Sequence, residues 1–421
     1  MENRLKEILE KLEKVAGTEV LYLVGGAVRD LILGKKTRDL DVVGKFDPRE
    51  VAESFVERWG GKIVNMGREF SFERVVFEGF TLDLSSLNGE DVEKDLLKRD
   101  ITVNAMGYPL SLYLRKGAIE EMFVIDPAGG LDDLKRRIVR ALSSENLRSD
   151  PIRFFRLYRF VSTLSFSLDE ETRDMIGLCF DCEKPARDRV REELKNILRG
   201  RGFFHVMEDP GFYVLSTWYF DLRIDPTVAR ERVRVLTELA RSPEFSSHVE
   251  EGRKRGGITR LELALLLSIL ADPGDLLPAA RALVTGLGLG WRDERFLMKL
   301  CKFSELPPQE DPGEKVSSEF LLECGEEFPF VLLFARSLPV PGWERIMAKK
   351  AIKYYAEKKG LIMGRKLPWK SAEVLRLAKR KGGNVGELMK KLRLAALEGH
   401  VRSHAEAVEM VERLMNEEGE T

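Results

Sequence analysis

A short β-rich run, Glu19–Val24 (EVLYLV), ends on Gly25-Gly26, and this junction constrains the chain more than any other feature. Helical spacing follows over Ala27–Leu33, with Gly34 placed as a stop, and a second strand pattern follows at Asp39–Val43 (DLDVV). Glycines let a backbone approach a phosphate, and a helix N-terminus presents free N–H groups to it. On a strand, residues i and i+2 point to one face. Asp39 and Asp41 should therefore converge while Leu40 turns into the core. Two adjacent carboxylates repel unless a cation sits between them, and oxygen-only ligation suits Mg²⁺. A phosphate-cradling turn beside a metal-binding carboxylate pair is the equipment of nucleotidyl transfer. The alternative is a pair of strand-end aspartates on a solvated loop; the glycine turn favours the functional reading.

Around this junction the first 143 residues read as mixed α/β. An amphipathic helix is expected over residues 1–16, with Leu5, Ile8, Leu9 and Leu12 on one stripe. A helix at Pro48–Trp59, strands at Lys62–Asn65, Phe72–Phe77 and Phe80–Leu84, and a helix from Asp91 to Leu97 follow. From about Asn146 onward strand signals nearly vanish. Pro151–Leu164, Glu170–Cys179, Arg187–Leu198, Pro226–Ala240 and Arg260–Leu270 carry helical apolar spacing. The expected organisation is a head at 1–143, a helical neck at 144–205, a helical body at 206–335 and a basic helical tail at 336–421. The chain has 421 residues, 43% hydrophobic, enough for several domains. No run of about 18 apolar residues exists, so no membrane helix is expected. Met1–Lys14 lacks an apolar signal core, and four Cys make no disulfide framework, so the expected location is cytoplasmic.

The overall net charge of −1 conceals an uneven distribution. Between Arg345 and Arg402 stand 17 Lys/Arg and four Glu, a net +13. The remainder is then −14. A basic C-terminal segment on an acidic protein suggests a polyanion partner, with a solvated helical face as the alternative.

Further motifs run in order behind the glycine turn. They are Lys98-Arg99-Asp100-Ile101-Thr102-Val103-Asn104-Ala105, the turn Ile125–Leu134 (IDPAGGLDDL), Ser149–Phe160 (SDPIRFFRLYRF) and Asp188–Leu194 (DRVREEL). With Gly25–Asp30 and Asp39–Asp41 this series resembles the class II tRNA nucleotidyltransferases, which include CCA-adding enzymes and bacterial poly(A) polymerases. Asn384–Leu388 through Leu397–Gly399 is similar to the tail of CCA-adding members. The resemblance implies an α+β fold: a polymerase-β-type head of mixed sheet and helices, followed by all-α neck, body and tail.

The resemblance also implies roles. Asp39 and Asp41 would be catalytic and hold Mg²⁺, with Asp83 as a further acidic residue facing the same site. Gly25, Gly26, Arg29 and Arg99 would contact the triphosphate and Asp100 the ribose. Asn104, grouped with them, is expected chiefly to brace the fold. Asp150 and Arg153 would read the base. Set at i and i+3 of one helix they would share a face, the carboxylate accepting from an exocyclic amine and the guanidinium donating to ring acceptors. Cytosine and adenine both offer that pattern; a surface ion pair is the alternative. Arg156 and Arg159 continue the ladder, with Arg156 a candidate for base recognition. Arg189 and Glu193, at i and i+4, read as a structural pair.

The implied partners are the acceptor end and elbow of tRNA, with CTP and ATP as substrates and no DNA or membrane. Lys379, Arg380, Lys381, Lys390 and Lys391 are the candidate tRNA-binding residues of the tail. Ser149 stands where the family usually has Glu, and Ile101 where it has Phe. Only Leu84–Arg99 separates Asp83 from Asp100, with Asn88-Gly89 as the turn, whereas many CCA-adding members carry a longer loop. CC-only or A-only addition therefore stays open beside full CCA addition, poly(A) synthesis and a non-catalytic RNA-binding role. The helix Leu265–Leu270 lacks the His-Asp of the phosphohydrolase domain of some relatives. Cys179 and Cys182 lack further ligands for zinc and read as packing. His400 and His404 read as surface residues. Tyr354, Tyr355 and Trp369 either pack in the core or stack on nucleic acid.

Overall fold

The computed structural model describes residues 2–17, 20–64, 72–87, 91–243, 245, 246, 249, 257–271, 276–304, 318–338, 346–380 and 385–417. The chain divides into two compact units, Met1–Tyr219 and Phe220–Thr421.

The first unit opens with α1 (Glu2–Ala16), whose Leu5, Ile8, Leu9 and Leu12 stripe is buried as the spacing predicts. A six-stranded mixed sheet follows, built from β1 (Leu21–Val24), β2 (Asp39–Gly44), β3 (Lys62–Val64), β4 (Phe72–Phe77), β5 (Phe80–Ser86) and β6 (Gly107–Pro109). The strand order is β3-β4-β5-β2-β1-β6. The β2–β5 pair is parallel and the other neighbours are antiparallel. Leu23, Val24, Leu40, Val42, Leu82 and Leu84 bury the centre of this sheet. Helix α2 (Gly26–Ile32) leaves the end of β1 and bears on the site, while α3 (Pro48–Trp59), capped by the Asp47 side chain with proline in its first turn, packs on β3, β4 and β5. Strand β6 was not legible in the sequence. It is three residues long and has Gly107 and Pro109 at its ends, both residues that read as turn rather than strand.

Helices α4 (Ser144–Ser149) and α5 (Ile152–Leu164) follow, and α6 (Arg187–Arg199) and α7 (Phe203–Glu208) pack on α5. The expected neck stops at residue 205, but the first unit runs on to Tyr219. Aromatic packing is the reason. Phe212 and Tyr219 meet Tyr158 and Phe155 of α5 edge-on, with ring centroids 5.3 Å apart in both pairs.

The elements of the second unit, among its described residues, are all helices. Arg260–Leu270 starts with a capping box between Thr259 and Glu262 and buries residues all round, as its apolar run predicts. Arg260 pairs with both Asp293 and Glu327. Near the C-terminal end, Ser371–Arg380, Val385–Glu398 and His404–Glu417 enclose a core of Trp369, Val374, Leu388, Leu392 and Val411. Trp369 and Tyr355 are buried, the latter stacked on Phe328, so packing is the reading the structure supports for both. Among the described residues no helix is long and apolar enough to cross a membrane.

Candidate active site

The site is built where β1 ends. Gly25 has φ +72° and ψ −140°, a conformation that a side chain would strain. A Cβ there would lie 2.6 Å from Arg99 Nη1 and 2.8 Å from Asp41 Oδ2. The glycine is thus required twice, by the turn and by the close approach of a guanidinium and a carboxylate. Its N–H donates to the Met106 carbonyl at 3.0 Å, fastening the turn to the segment that carries the Arg99-Asp100 motif.

Asp39 and Asp41 share one face of β2, with Leu40 buried on the other, as the alternation predicts. Asp39 is exposed at the strand's start and Asp41 is half-buried. Burial pushes the Asp41 carboxyl above its usual range. The carboxylates of Asp83 and Asp39 add to that rise, and the guanidinium groups of Arg99 and Arg74 oppose it. Asp83 lies directly opposite Asp41 on β5, so it faces the same side of the sheet. Its carboxylate is held by Arg74 of β4, a residue the motifs did not single out. Among the described residues no three His, Cys, Asp or Glu side chains come together as a metal-ligand set.

A cleft of about 280 Å³ opens beside this face. Gly26, Asp41, Arg99, Asp100, Asn104 and Arg153 line it, together with Asp95, Lys98 and Arg156. Arg99 Nε is buried without a hydrogen-bond partner, and an Arg99 guanidinium nitrogen sits 3.5 Å from Asp95. Asp100 is 5% exposed and lies 2.6 Å from Arg156. It also accepts from its neighbour's backbone N–H and from Asn104. Burial alone would raise the Asp100 carboxyl; Arg156, Arg159 and Arg153, helped by Asn104, outweigh it and hold the group below its ordinary value.

Arg29 does not line this cleft. It is buried behind the glycine turn, donates to Asn104 and pairs with Asp30. Asn104 in turn reaches Asp100, so Arg29 is linked to the cleft wall through Asn104.

The Asp150–Arg153 expectation needs correcting in its geometry. Asp150 is not on a helix: it has φ −145° and ψ 94°, just after α4, and α5 starts at Ile152. Pro151 forces this break, because the residue before a proline is pushed out of the helical region. The Asp150 carboxylate instead takes both Arg189 terminal nitrogens, at 3.0 and 2.7 Å, while Arg153 donates to the Asn146 carbonyl. The Arg189–Glu193 pair is likewise replaced. Glu193 pairs with Arg159, across from α6 to α5.

Of the tail candidates, Lys381 lies outside the described residues, as do the side chains of Lys379 and Arg380. Lys390 is exposed and Lys391 half-buried on Val385–Glu398. The Asn88-Gly89 turn is also outside the described residues. Cys179 is buried and its thiol is pushed up to about 12 by that burial, which suits packing. His404 lies between Glu373 and the Lys370 N–H, and His400 is largely exposed.

Residues 21–140 match the poly A polymerase head domain family. The chain is 34% identical over 187 residues to the CC-adding tRNA nucleotidyltransferase of Shouchella clausii, covering 44% of this chain and 46% of that protein. It is 38% identical over 183 residues to the A-adding tRNA nucleotidyltransferase of Deinococcus radiodurans, covering 42% and 39%. The chain thus spans less than half the length of these two relatives. Against the CC-adding tRNA nucleotidyltransferase of Geobacter sulfurreducens the match is longer: 28% over 403 residues, covering 92% and 90%. A solved complex of a CCA-adding enzyme with CTP has a TM-score of 0.69 at 22% identity, covering 98% of this chain and 95% of that one. The fold read from the motifs, a nucleotidyltransferase head followed by helical segments, is the fold found.

Proposed function

We propose that this protein adds C and A nucleotides, without a template, to the 3′ end of tRNA from CTP and ATP, releasing pyrophosphate. The observation that carries this reading is the convergence of Asp39 and Asp41 on one strand face beside the Gly25 turn and a cleft walled by Arg99, Asp100 and Arg153. Carboxylates, a backbone turn and cations meet there beside the Asn104 amide, a donor set that suits Mg²⁺ and a triphosphate. Asp39 and Asp41 would hold Mg²⁺, which when bound lowers the pKa of the attacking 3′-hydroxyl and offsets charge at the α-phosphate. The Gly25-Gly26 backbone and Arg99 receive the phosphates. The unpartnered Arg99 Nε supports that role. Asp100, kept ionised by its arginines, accepts from a ribose hydroxyl at the cleft wall. Arg153 at the cleft wall offers the guanidinium, and Asp150, once its carboxylate leaves Arg189, the acceptor that cytosine and adenine complement. The basic tail grips tRNA through phosphate and shape. Such work on tRNA belongs in the cytoplasm.

A second reading, CC-only or A-only addition, is favoured by the short Leu84–Arg99 connection and by the activities that name the relatives. One assay separates the readings. A tRNA transcript lacking its CCA end is incubated with Mg²⁺ and with CTP, ATP or both, and the products are sized. Growth by three nucleotides only with both substrates establishes full CCA addition. Arrest after two C residues, or A added only to a CC end, makes it a half-enzyme. An ATP-driven ladder on any RNA means poly(A) synthesis, and no incorporation restores the binding-protein reading. Asp39→Ala should abolish transfer and leave tRNA affinity intact; near-normal turnover would remove Asp39 from the chemistry.

A further inference from the structure

Asp41 on β2 lies opposite Asp83 on β5, and Asp83 lies opposite Arg74 on β4. Paired strand residues point to the same side, so the three side chains form one lateral row across the sheet. Arg74 closes on Asp83 as a fork, Nε donating to Oδ1 at 2.7 Å and Nη2 to Oδ2 at 2.6 Å. Charged bidentate pairs of this length are among the stronger polar contacts in proteins. Both Asp83 oxygens are committed to one guanidinium. With its charge offset and one lone pair on each oxygen occupied, the carboxylate is a weaker ligand for a cation while the fork stays closed.

We infer that Arg74 is a positioning residue that withholds Asp83 from the metal, so that the resting site presents two carboxylates, Asp39 and Asp41, rather than three. The inference rests on the reading of Asp39 and Asp41 as the metal pair. Its consequence is physical. Mg²⁺ prefers six oxygens and is commonly held by one or two carboxylates plus substrate phosphates. A two-carboxylate site leaves most positions to water and the triphosphate, and so ties metal loading to nucleotide loading. A third free carboxylate would let the metal settle without nucleotide. Arg74 also keeps the Asp39, Asp41 and Asp83 carboxylates from facing one another unrelieved on this side of the sheet.

The test uses Mn²⁺ as the probe. Free Mn²⁺ is followed by electron paramagnetic resonance as it is titrated onto the full chain without nucleotide. The variants are wild type, Asp39→Asn, Asp83→Asn, Arg74→Gln and the Arg74→Gln/Asp83→Asn double, each checked by circular dichroism. Wild type should bind weakly, and Asp39→Asn should lose that binding. Asp83→Asn should match wild type. Arg74→Gln should bind about tenfold more tightly, the scale on which residues around metal ligands act, and the double variant should return to the wild-type value. An unchanged or weakened affinity in Arg74→Gln overturns the inference, as does a loss in Asp83→Asn as large as that in Asp39→Asn. If Arg74→Gln does not fold, the Asp83→Asn titration decides alone. Wild-type protein showing no binding that Asp39→Asn removes would defeat the metal-pair reading and the inference with it. Binding by wild type with no gain in Arg74→Gln would defeat the inference only.

Discussion

Gly25 and Gly34 both have positive φ, +72° and +65°, yet they do different work. Nothing lies within 4 Å of a Cβ at Gly34, which ends α2. At Gly25 the Cβ would meet Arg99 and Asp41, the two groups that face the triphosphate and metal in the proposed reaction. Either alanine carries a backbone strain of roughly 1–3 kcal/mol. Only Gly25→Ala should also displace the site, with a loss of transfer on the order of 100-fold. Gly34→Ala should lower the melting temperature and keep its rate per folded molecule. Comparing turnover with thermal denaturation for the pair separates the two roles; equal losses of activity would mean that strain, not the close approach, governs Gly25. The sequence singled out Gly25, because a double glycine between a strand and a helix has few structural uses. That Arg99 fills the space above it was not legible, since 74 residues separate them.

At the scale of elements, Asp100 and Arg156 show how the cleft wall is tied to α5. Asp100 is buried in the loop before β6, and Arg156 reaches it from the helix at 2.6 Å. Arg156→Ala leaves a buried carboxylate short of a partner and should cost roughly 2 kcal/mol. In an Asp100→Asn background that cost should nearly vanish, because the charge needing compensation has gone; a double-mutant cycle in urea measures it. The pH dependence has a definite sign. The folded Asp100 carboxyl lies below its unfolded value, so the unfolded chain takes up the proton first as pH falls. The stability it contributes is complete above the ordinary aspartate pKa and is lost as pH drops through the lowered folded value. Asp100→Asn should flatten that part of the acid-unfolding profile. The sequence placed both residues in motifs. It also put Asp150 and Arg153 on one helix, and there it misled: Pro151 breaks the helix between them, a local rule that the i,i+3 spacing overlooked.

For the whole molecule, the decisive quantity is the distribution of charge. A net charge of −1 would disfavour RNA binding, whereas +13 between Arg345 and Arg402 favours it. Replacing Lys390 and Lys391 with alanine should weaken tRNA binding. The slope of log affinity against log salt should fall by about one for each phosphate that the helix no longer neutralises. Filter binding across a salt series checks this; an unchanged slope would remove that helix from the tRNA interface. Sequence alone determined the strand–turn–helix junction, the Asp39–Asp41 pair, the helical character after the head and the basic segment. Each of these is set by neighbours in the chain or by a short period, so composition and spacing suffice. Tertiary structure alone decided which cation faces which carboxylate: Arg74 on Asp83, Arg156 on Asp100, Arg189 on Asp150 and Arg159 on Glu193. With 69 Lys and Arg and 70 Asp and Glu, the sequence permits many such pairings of similar energy. Strand register and helix packing choose among them, because a salt bridge requires approach within a few ångströms and only the folded backbone brings these groups that close.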